Sequence, residues 1–481
     1  MLGFFIEGGF WLIRLLLLTG VFSSLLWFQK YVFKEKHWVW ICFVLVGLVN
    51  LWLLRPVESY GPDSQMWWAL SRGKIDNMGW VLYRPKLYSW FLMLFERDFF
   101  VPLAQWGLRV LTLGVVWQLL RVLGCRSVVQ ALVIVLLGLN SLGVQEQSQL
   151  LDTTLFGFLG ALTLLAFVQA LKSSNLISLF LFGVAAGFCT LSRQLGDPFI
   201  LLGFLVLFFK GRGSWIQRFL AVALFFVIGW GGLWTNWWRY DVPKRTVALG
   251  VNLFTHSSYY DWEKPDDSES ELIKKINPNM SDQTSLWNTH YTKDISWFAN
   301  ALPHQYQNYL EEQGMSRLES DKYLTGMYIK WVTENKISFF KSIVNELQRF
   351  MMTSQDYYPE SLIGRYISLS NFFKRLERLV IHLPIWLLFV VSFVGVFFAR
   401  EKWLLMILLT SFGYLLLLSS IHLGFTRYVL PLLPFLYLCM GLSLEAVFRQ
   451  RSFLKKIKIK KKKSITPSLC SINLILEPCI K

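Results

Sequence analysis

Seven side chains in this sequence of 481 residues have the type and spacing to do chemistry at a membrane face: Asp63, Arg84, Lys86, Glu146, Asp152, Arg193 and Arg427. Asp63 follows Gly61-Pro62 and stands just before Trp67 and Trp68; Arg84 and Lys86 flank Pro85. Glu146 and Asp152 lie on either side of a short turn between two apolar runs. Arg193 closes another apolar run, and Arg427 opens the last one. A carboxylate can take the proton of a hydroxyl. Guanidinium and ammonium groups hold a phosphate through charge-assisted hydrogen bonds, and arginine does so in a bidentate way without losing its charge. Acids and cations together therefore suit transfer of a group from a phosphate-linked donor to a hydroxyl. Each residue also has a plainer use. Asp63 fits the N-cap of a helix over 64–72, and Asp152 fits the cap of the span that follows it. Glu146 fits a solvated loop acid. Arginines at span ends reach the interface by snorkelling. His422, near Arg427, reads as structural.

The elements that must position these groups are apolar. The chain is 54% hydrophobic and 16% charged, against about 25% charged in soluble domains. A helix crosses a bilayer in roughly 17–25 residues. Eleven spans are predicted, at 10–29, 38–54, 102–120, 128–144, 151–171, 176–192, 198–209, 218–238, 383–399, 403–421 and 428–448, so the expected fold is an all-α polytopic membrane protein. The positive-inside rule gives the sidedness. Lys30, Lys34, Lys36, Arg121, Arg126, Lys172, Lys210, Arg212, Arg218, Arg400 and Lys402 all fall on the side of the basic tail. That side is cytoplasmic, and loops 55–101 and 239–382 lie outside. All seven candidate residues then gather at the outer face, with Arg72, Lys74, Gln194, Asp197 and Tyr428 beside them.

The net charge of +17 does not point to nucleic acid, because it is concentrated at one end. Residues 449–481 hold ten Lys/Arg and one Glu, whereas residues 239–382 hold seventeen Lys/Arg and eighteen Asp/Glu. A basic end beside a membrane reads as a topology signal that meets anionic lipid. The six cysteines, Cys42, Cys125, Cys189, Cys439, Cys470 and Cys479, avoid the long polar segment, so no disulfide framework is expected. No cleavable signal peptide and no internal repeat is evident. Residues 265–279 read as loop. Tyr328 to Met351 reads as a helix with Phe339, Phe340, Ile343, Val344, Leu347, Phe350 and Met351 on one face. Trp67, Trp68, Trp234, Trp237 and Trp238 suit an interfacial belt.

Several stretches, in order, resemble the C-type membrane glycosyltransferases (GT-C), which include the protein O-mannosyltransferases of glycosyltransferase family 39 and the aminoarabinose lipid A transferases. They are the loop with Asp63 after the span at 38–54, then Tyr83-Arg84-Pro85-Lys86-Leu87-Tyr88, and Gly183 to Arg193 with its G-x-x-x-G-x-x-x-L-x-R spacing. Arg427-Tyr428-Val429-Leu430-Pro431-Leu432-Leu433-Pro434 is similar to that family's last span. The likeness covers residues 38–448. Two departures stand out: Ser64 follows Asp63 where many members have a second acid, and Leu151-Asp152-Thr153 stands where a Glu is common.

The resemblance implies a seven-span catalytic module at 38–238 and a helical outer subdomain at 239–382. A three-span bundle at 383–448 follows. Residues 1–37 add an extra span, and 449–481 form a basic tail. It implies an inverting transfer from a polyprenyl-phosphate sugar to a lipid, glycan or protein acceptor. Asp63 would be the base, Asp152 and Glu146 would stand near it, and Arg193, Arg427, Arg84 and Lys86 would hold the donor phosphate. A lone first-loop acid favours a metal-free site, and no cofactor or nucleotide loop is expected. Two readings remain beside this one: a lipid or glycan transporter without covalent chemistry, and an oligosaccharide polymerase or ligase. The cysteine usage points to a bacterial plasma membrane.

Overall fold

The computed structural model describes residues 37–54, 62–74, 85–140, 152–173, 176–193, 196–210, 214–244, 249–261, 302–352, 385–398, 403–421 and 430–449, with Gly143, Val144, Gln147 and Leu150. Outside these residues lie the span at 10–29, the loop at 265–279, the tail beyond Arg449, and Arg84, Glu146, His422 and Arg427. The backbone of Asp63 is described; its side chain is not.

Every regular element among the described residues is helical. In chain order they are α1 (His37–Trp52), α2 (Pro62–Ser71), α3 (Lys86–Met93), α4 (Phe100–Val122), α5 (Ser127–Gly138), α6 (Thr153–Lys172), α7 (Leu176–Ser192) and α8 (Asp197–Lys210). There follow α9 (Trp215–Gly229), α10 (Gly231–Tyr240), α11 (Leu249–Asp261), α12 (Leu302–Glu312), α13 (Arg317–Glu334), α14 (Lys336–Met352), α15 (Ile385–Phe398) and α16 (Trp403–Ile421). A 3-10 turn at Leu430–Leu432 leads into α17, residues 433–449.

Two of these helices, α4 with 23 residues and α6 with 20, are long and apolar enough to cross a membrane. The pair α9 and α10 makes a third candidate span, bent by 44°. Shorter apolar helices, α1, α5 and α7 among them, pack beside these. Such helices make the chain an integral membrane protein by length and composition. They do not match the eleven expected spans one for one. The span expected at 218–238 breaks at Trp230, whose φ of −96° and ψ of 9° leave the helical region. Gly229, Gly231 and Gly232 flank this residue and let the backbone turn there. The span expected at 128–144 stops as a helix at Gly138, where the Arg109 side chain donates to the carbonyls of Leu137 and Gly138.

A close seam runs between α7 and α9. A Cβ on Gly183 would stand 2.4 Å from the carbonyl oxygen of Ala221, and one on Gly187 would stand 2.7 Å from Cβ of Ile228. The G-x-x-x-G spacing thus has a mechanical meaning: two backbones approach where no side chain intervenes. α7 also packs on α6, and α6 on α4. At the end of the bundle away from α2 and α3, Glu445 of α17 accepts from the backbone N–H of Arg126 at 2.8 Å and from Nε of Arg449 at 3.0 Å. Arg449 also donates to the Gly124 carbonyl at 2.9 Å. This carboxylate fastens the last helix to the turn between α4 and α5.

Helices α11 to α13 form a cap with its own small core around Val251, Phe254, Tyr306, Leu310 and Leu324, and α14 joins this cap to the main core. Asp321 holds it at one point, accepting from the Gly250 N–H at 2.7 Å and pairing with Lys244 at 3.0 Å. The helix expected over Tyr328 to Met351 is two helices, broken at Asn335 (φ −116°, ψ 47°). Its expected single apolar face is also divided. Phe350 is fully buried and Leu347 packs against the main core, while Phe340 and Val344 are exposed.

Candidate functional site

The site is built where α1, α5 and α7 end and where α4 and α6 begin. Antiparallel packing brings these termini to one end of the bundle, and α2 and α3 lie across it. Pro62 takes the first position of α2, where its missing N–H costs nothing. Asp63 is therefore the second helical residue and not the N-cap expected for a helix over 64–72.

α2 is pinned by its aromatic face. Trp67 is buried, and its ring meets Tyr88 of α3 edge to face at 5.1 Å. It belongs to the core and not to the expected interfacial belt. Trp68 carries the Arg72 guanidinium at 4.2 Å from its ring, and Arg72 also donates to the carbonyl of Phe95. Trp234, Trp237 and Trp238 on α10 are exposed, as a belt requires. Lys86 is the first residue of α3, directly after Pro85. Burial, and secondly the nearby Arg239, lower its pKa from 10.5 to about 8. α3 packs in turn on α7, whose end carries Arg193.

Arg193 and Asp152 form a bidentate pair. Nε donates to Oδ2 at 2.8 Å and Nη2 to Oδ1 at 2.7 Å, and both residues are buried. Asp152 precedes α6, but its side chain makes no capping bond. Its carboxylate spans to α7 instead. The Arg193 guanidinium also lies 5.9 Å from the Phe156 ring. Two of the seven candidates are thus in direct contact. Removing either would leave a buried charge, at a cost of about 3–5 kcal/mol.

Arg109 was not among the seven. It lies within α4, donating from Nε to Asn50 Oδ1 at 2.8 Å and from Nη2 to the carbonyls of Leu137, Gly138 and Asn140 at 3.1, 3.0 and 3.1 Å. No carboxylate pairs with it among the described residues. Its charge is met by the negative end of the α5 dipole. A Cβ on Gly143 would stand 1.6 Å from its Nη1, so the turn after α5 rests directly on the guanidinium. Around it Asn50 donates to Gly138 O, Gln147 donates to Asn50 O, Gln105 donates to Gln147 O, and Tyr88 reaches Gln105 at 3.2 Å. This network fixes the segment leading to Asp152 against α3 and α4. The signal for it was present in the sequence: Gln105 and Arg109 are polar residues inside an apolar run, and these are rare unless they serve a purpose.

A cavity of about 50 Å³ adjoins the network, lined by Arg109, Thr112, Gly143, Thr153, Leu433 and Pro434 among others. It is large enough to hold ordered water. No group of three or more His, Cys, Asp or Glu that could hold a metal ion occurs among the described residues.

No family model matches the chain, and no curated protein matches it. The crystal structure of ArnT from Cupriavidus metallidurans bound to undecaprenyl phosphate is similar to it at 15% identity. That match covers 87% of this chain and 79% of the other, with a TM-score of 0.33. At that score the likeness adds nothing to what the helices themselves establish.

Proposed function

We propose that the chain is an inverting membrane glycosyltransferase of the GT-C type. It moves a sugar from a polyprenyl-phosphate donor to a lipid, glycan or protein acceptor at the outer face of a bacterial plasma membrane. The observation that carries the reading is the packing of α2 on α3 and of α3 on α7. These three helices bear Asp63, Lys86 and, just past the end of α7, Arg193. In the reaction the Asp63 carboxylate takes the proton of the acceptor hydroxyl. The acceptor oxygen bonds to the anomeric carbon while the bond from that carbon to the phosphate oxygen breaks. The electron pair leaves with the polyprenyl phosphate, whose charge Lys86 meets, with Arg84 and Arg427 as further donors. Arg193 is a further candidate for that phosphate, and Asp152 holds it in place. Glu146 remains a candidate second acid, and the basic tail rests on anionic lipid.

Purified protein in liposomes, given labelled polyprenyl-phosphate sugars and a hydroxyl acceptor, tests this. Transfer of label with release of polyprenyl phosphate is expected, and Asp63→Asn is expected to abolish it while the protein inserts and purifies as before. Full activity in that variant removes Asp63 as the base. Translocation of intact donor replaces the enzyme with a transporter. Turnover of a pyrophosphate-linked donor alone replaces it with a ligase or polymerase.

A further inference from the structure

Helix α14 carries three sectors around its axis, and only two of them are accounted for by the protein. Stepping about 100° per residue, one sector holds Ser342, Glu346 and Phe350, each fully buried. This sector faces α15 and α16. A second sector holds Lys341, Asn345 and Gln348, exposed and polar. Between them lies a third, formed by Ile337, Phe340 and Val344, whose exposures are 73%, 68% and 47%. Three large apolar side chains at this spacing make one continuous stripe.

The neighbours identify what covers it. α14 packs against α16 and α15, both apolar helices, and touches α11. Those helices expose Val390, Phe393, Leu409 and Phe412, apolar side chains of the kind that face acyl chains in a membrane protein. The stripe on α14 borders its packed sector and so continues that lipid-facing surface. The polar sector then faces headgroups and water. This order of packed, apolar and polar sectors is that of a helix lying in the plane of an interface.

We propose that α14 is embedded in the leaflet at the site end of the bundle, with Ile337, Phe340 and Val344 among phospholipid acyl chains. The cap would then be fastened to the bilayer itself as well as to α16. The inference is independent of the transferase reading and stands whether or not the chain moves a sugar.

Nitroxide labels at Phe340→Cys, Val344→Cys and Asn345→Cys test it. The full chain, freed of reactive native cysteines, is reconstituted in vesicles of phosphatidylethanolamine and phosphatidylglycerol. The ratio of oxygen to nickel-chelate accessibility is expected to be several-fold higher at 340 and 344 than at 345. Equal nickel accessibility at all three overturns the proposal. A benzophenone side chain at position 340 in the otherwise native chain provides a check that needs no cysteine replacement. Adducts with phospholipid are expected, and adducts confined to another protein also overturn it.

Discussion

At Lys86, burial and Arg239 both oppose the ammonium form and bring the pKa down from 10.5 to about 8. Activity and stability should then move in opposite directions with pH. Between 8 and 10.5 the unfolded chain keeps a proton that the folded chain has released, so stability rises with pH through that window. A phosphate, however, needs the charge, so donor binding should weaken as pH rises past 8. The expected result is a KM for the donor that climbs above pH 8 while thermal stability does not fall. Lys86→Arg should flatten the KM profile, because a guanidinium stays protonated there. The Asp152–Arg193 pair calls for a different measurement. Asp152→Asn alone should lower folding stability by about 3–5 kcal/mol, and Asp152→Asn with Arg193→Gln should recover part of it, since the second change removes the stranded charge. A double-mutant cycle by denaturation in detergent reads the coupling. Zero coupling would mean that the two residues do not meet in the folded protein.

Helices show which parts of the architecture the sequence carried openly. α4 and α6 were legible because long apolar runs have few other uses in a chain of this composition. The pairing of Asp152 with Arg193 was not, since nothing in 41 residues of separation says that a carboxylate turns away from its own helix to meet the end of the next. The bend at Trp230 and the break at Asn335 each carry a local signal instead, Gly229, Gly231 and Gly232 around the first and the polar run Thr333-Glu334-Asn335-Lys336 at the second, which a reading by apolar periodicity runs across. Asp63 moved from cap to first turn because Pro62 is itself helical. The Gly183 and Gly187 spacing was visible, and the structure supplies its cause, from which an element-scale prediction follows. Gly183→Ala should destabilise the protein by about 1–3 kcal/mol, because the backbone of Ala221 is in the way and cannot rotate aside. Gly107→Ala on α4, with nothing within 4 Å of the added Cβ, should be neutral or stabilising by up to about 1 kcal/mol. Thermal unfolding of both variants decides this, and equal losses would mean that α7 and α9 are not in backbone contact.

The whole molecule depends on how the cap stays on the bundle, and that attachment has a titratable part. His256 on α11 shares a proton-mediated bond of 3.0 Å with the carbonyl of Ser419 near the end of α16, and Tyr328 on α13 donates to the carbonyl of Ser420. Both carbonyls belong to the last turn of α16, where a helix leaves acceptors unpaired. Burial pushes the pKa of Tyr328 up to about 12 and that of His256 down to about 4, so His256 is neutral near pH 7 and only its N–H can serve the carbonyl. The sign of the pH effect follows. Between 4 and 6.5 the unfolded chain binds a proton that the folded chain does not, so the attachment gains strength as pH rises through that window and loses it as pH falls. Acidification from 6.5 towards 4 should therefore loosen the cap. Limited proteolysis is expected to cut within 249–352 more readily at pH 5 than at pH 7 in the wild-type protein. His256→Gln, which keeps a donor and does not titrate, should remove most of that pH difference, and a difference that persists in this variant would move the switch to another group.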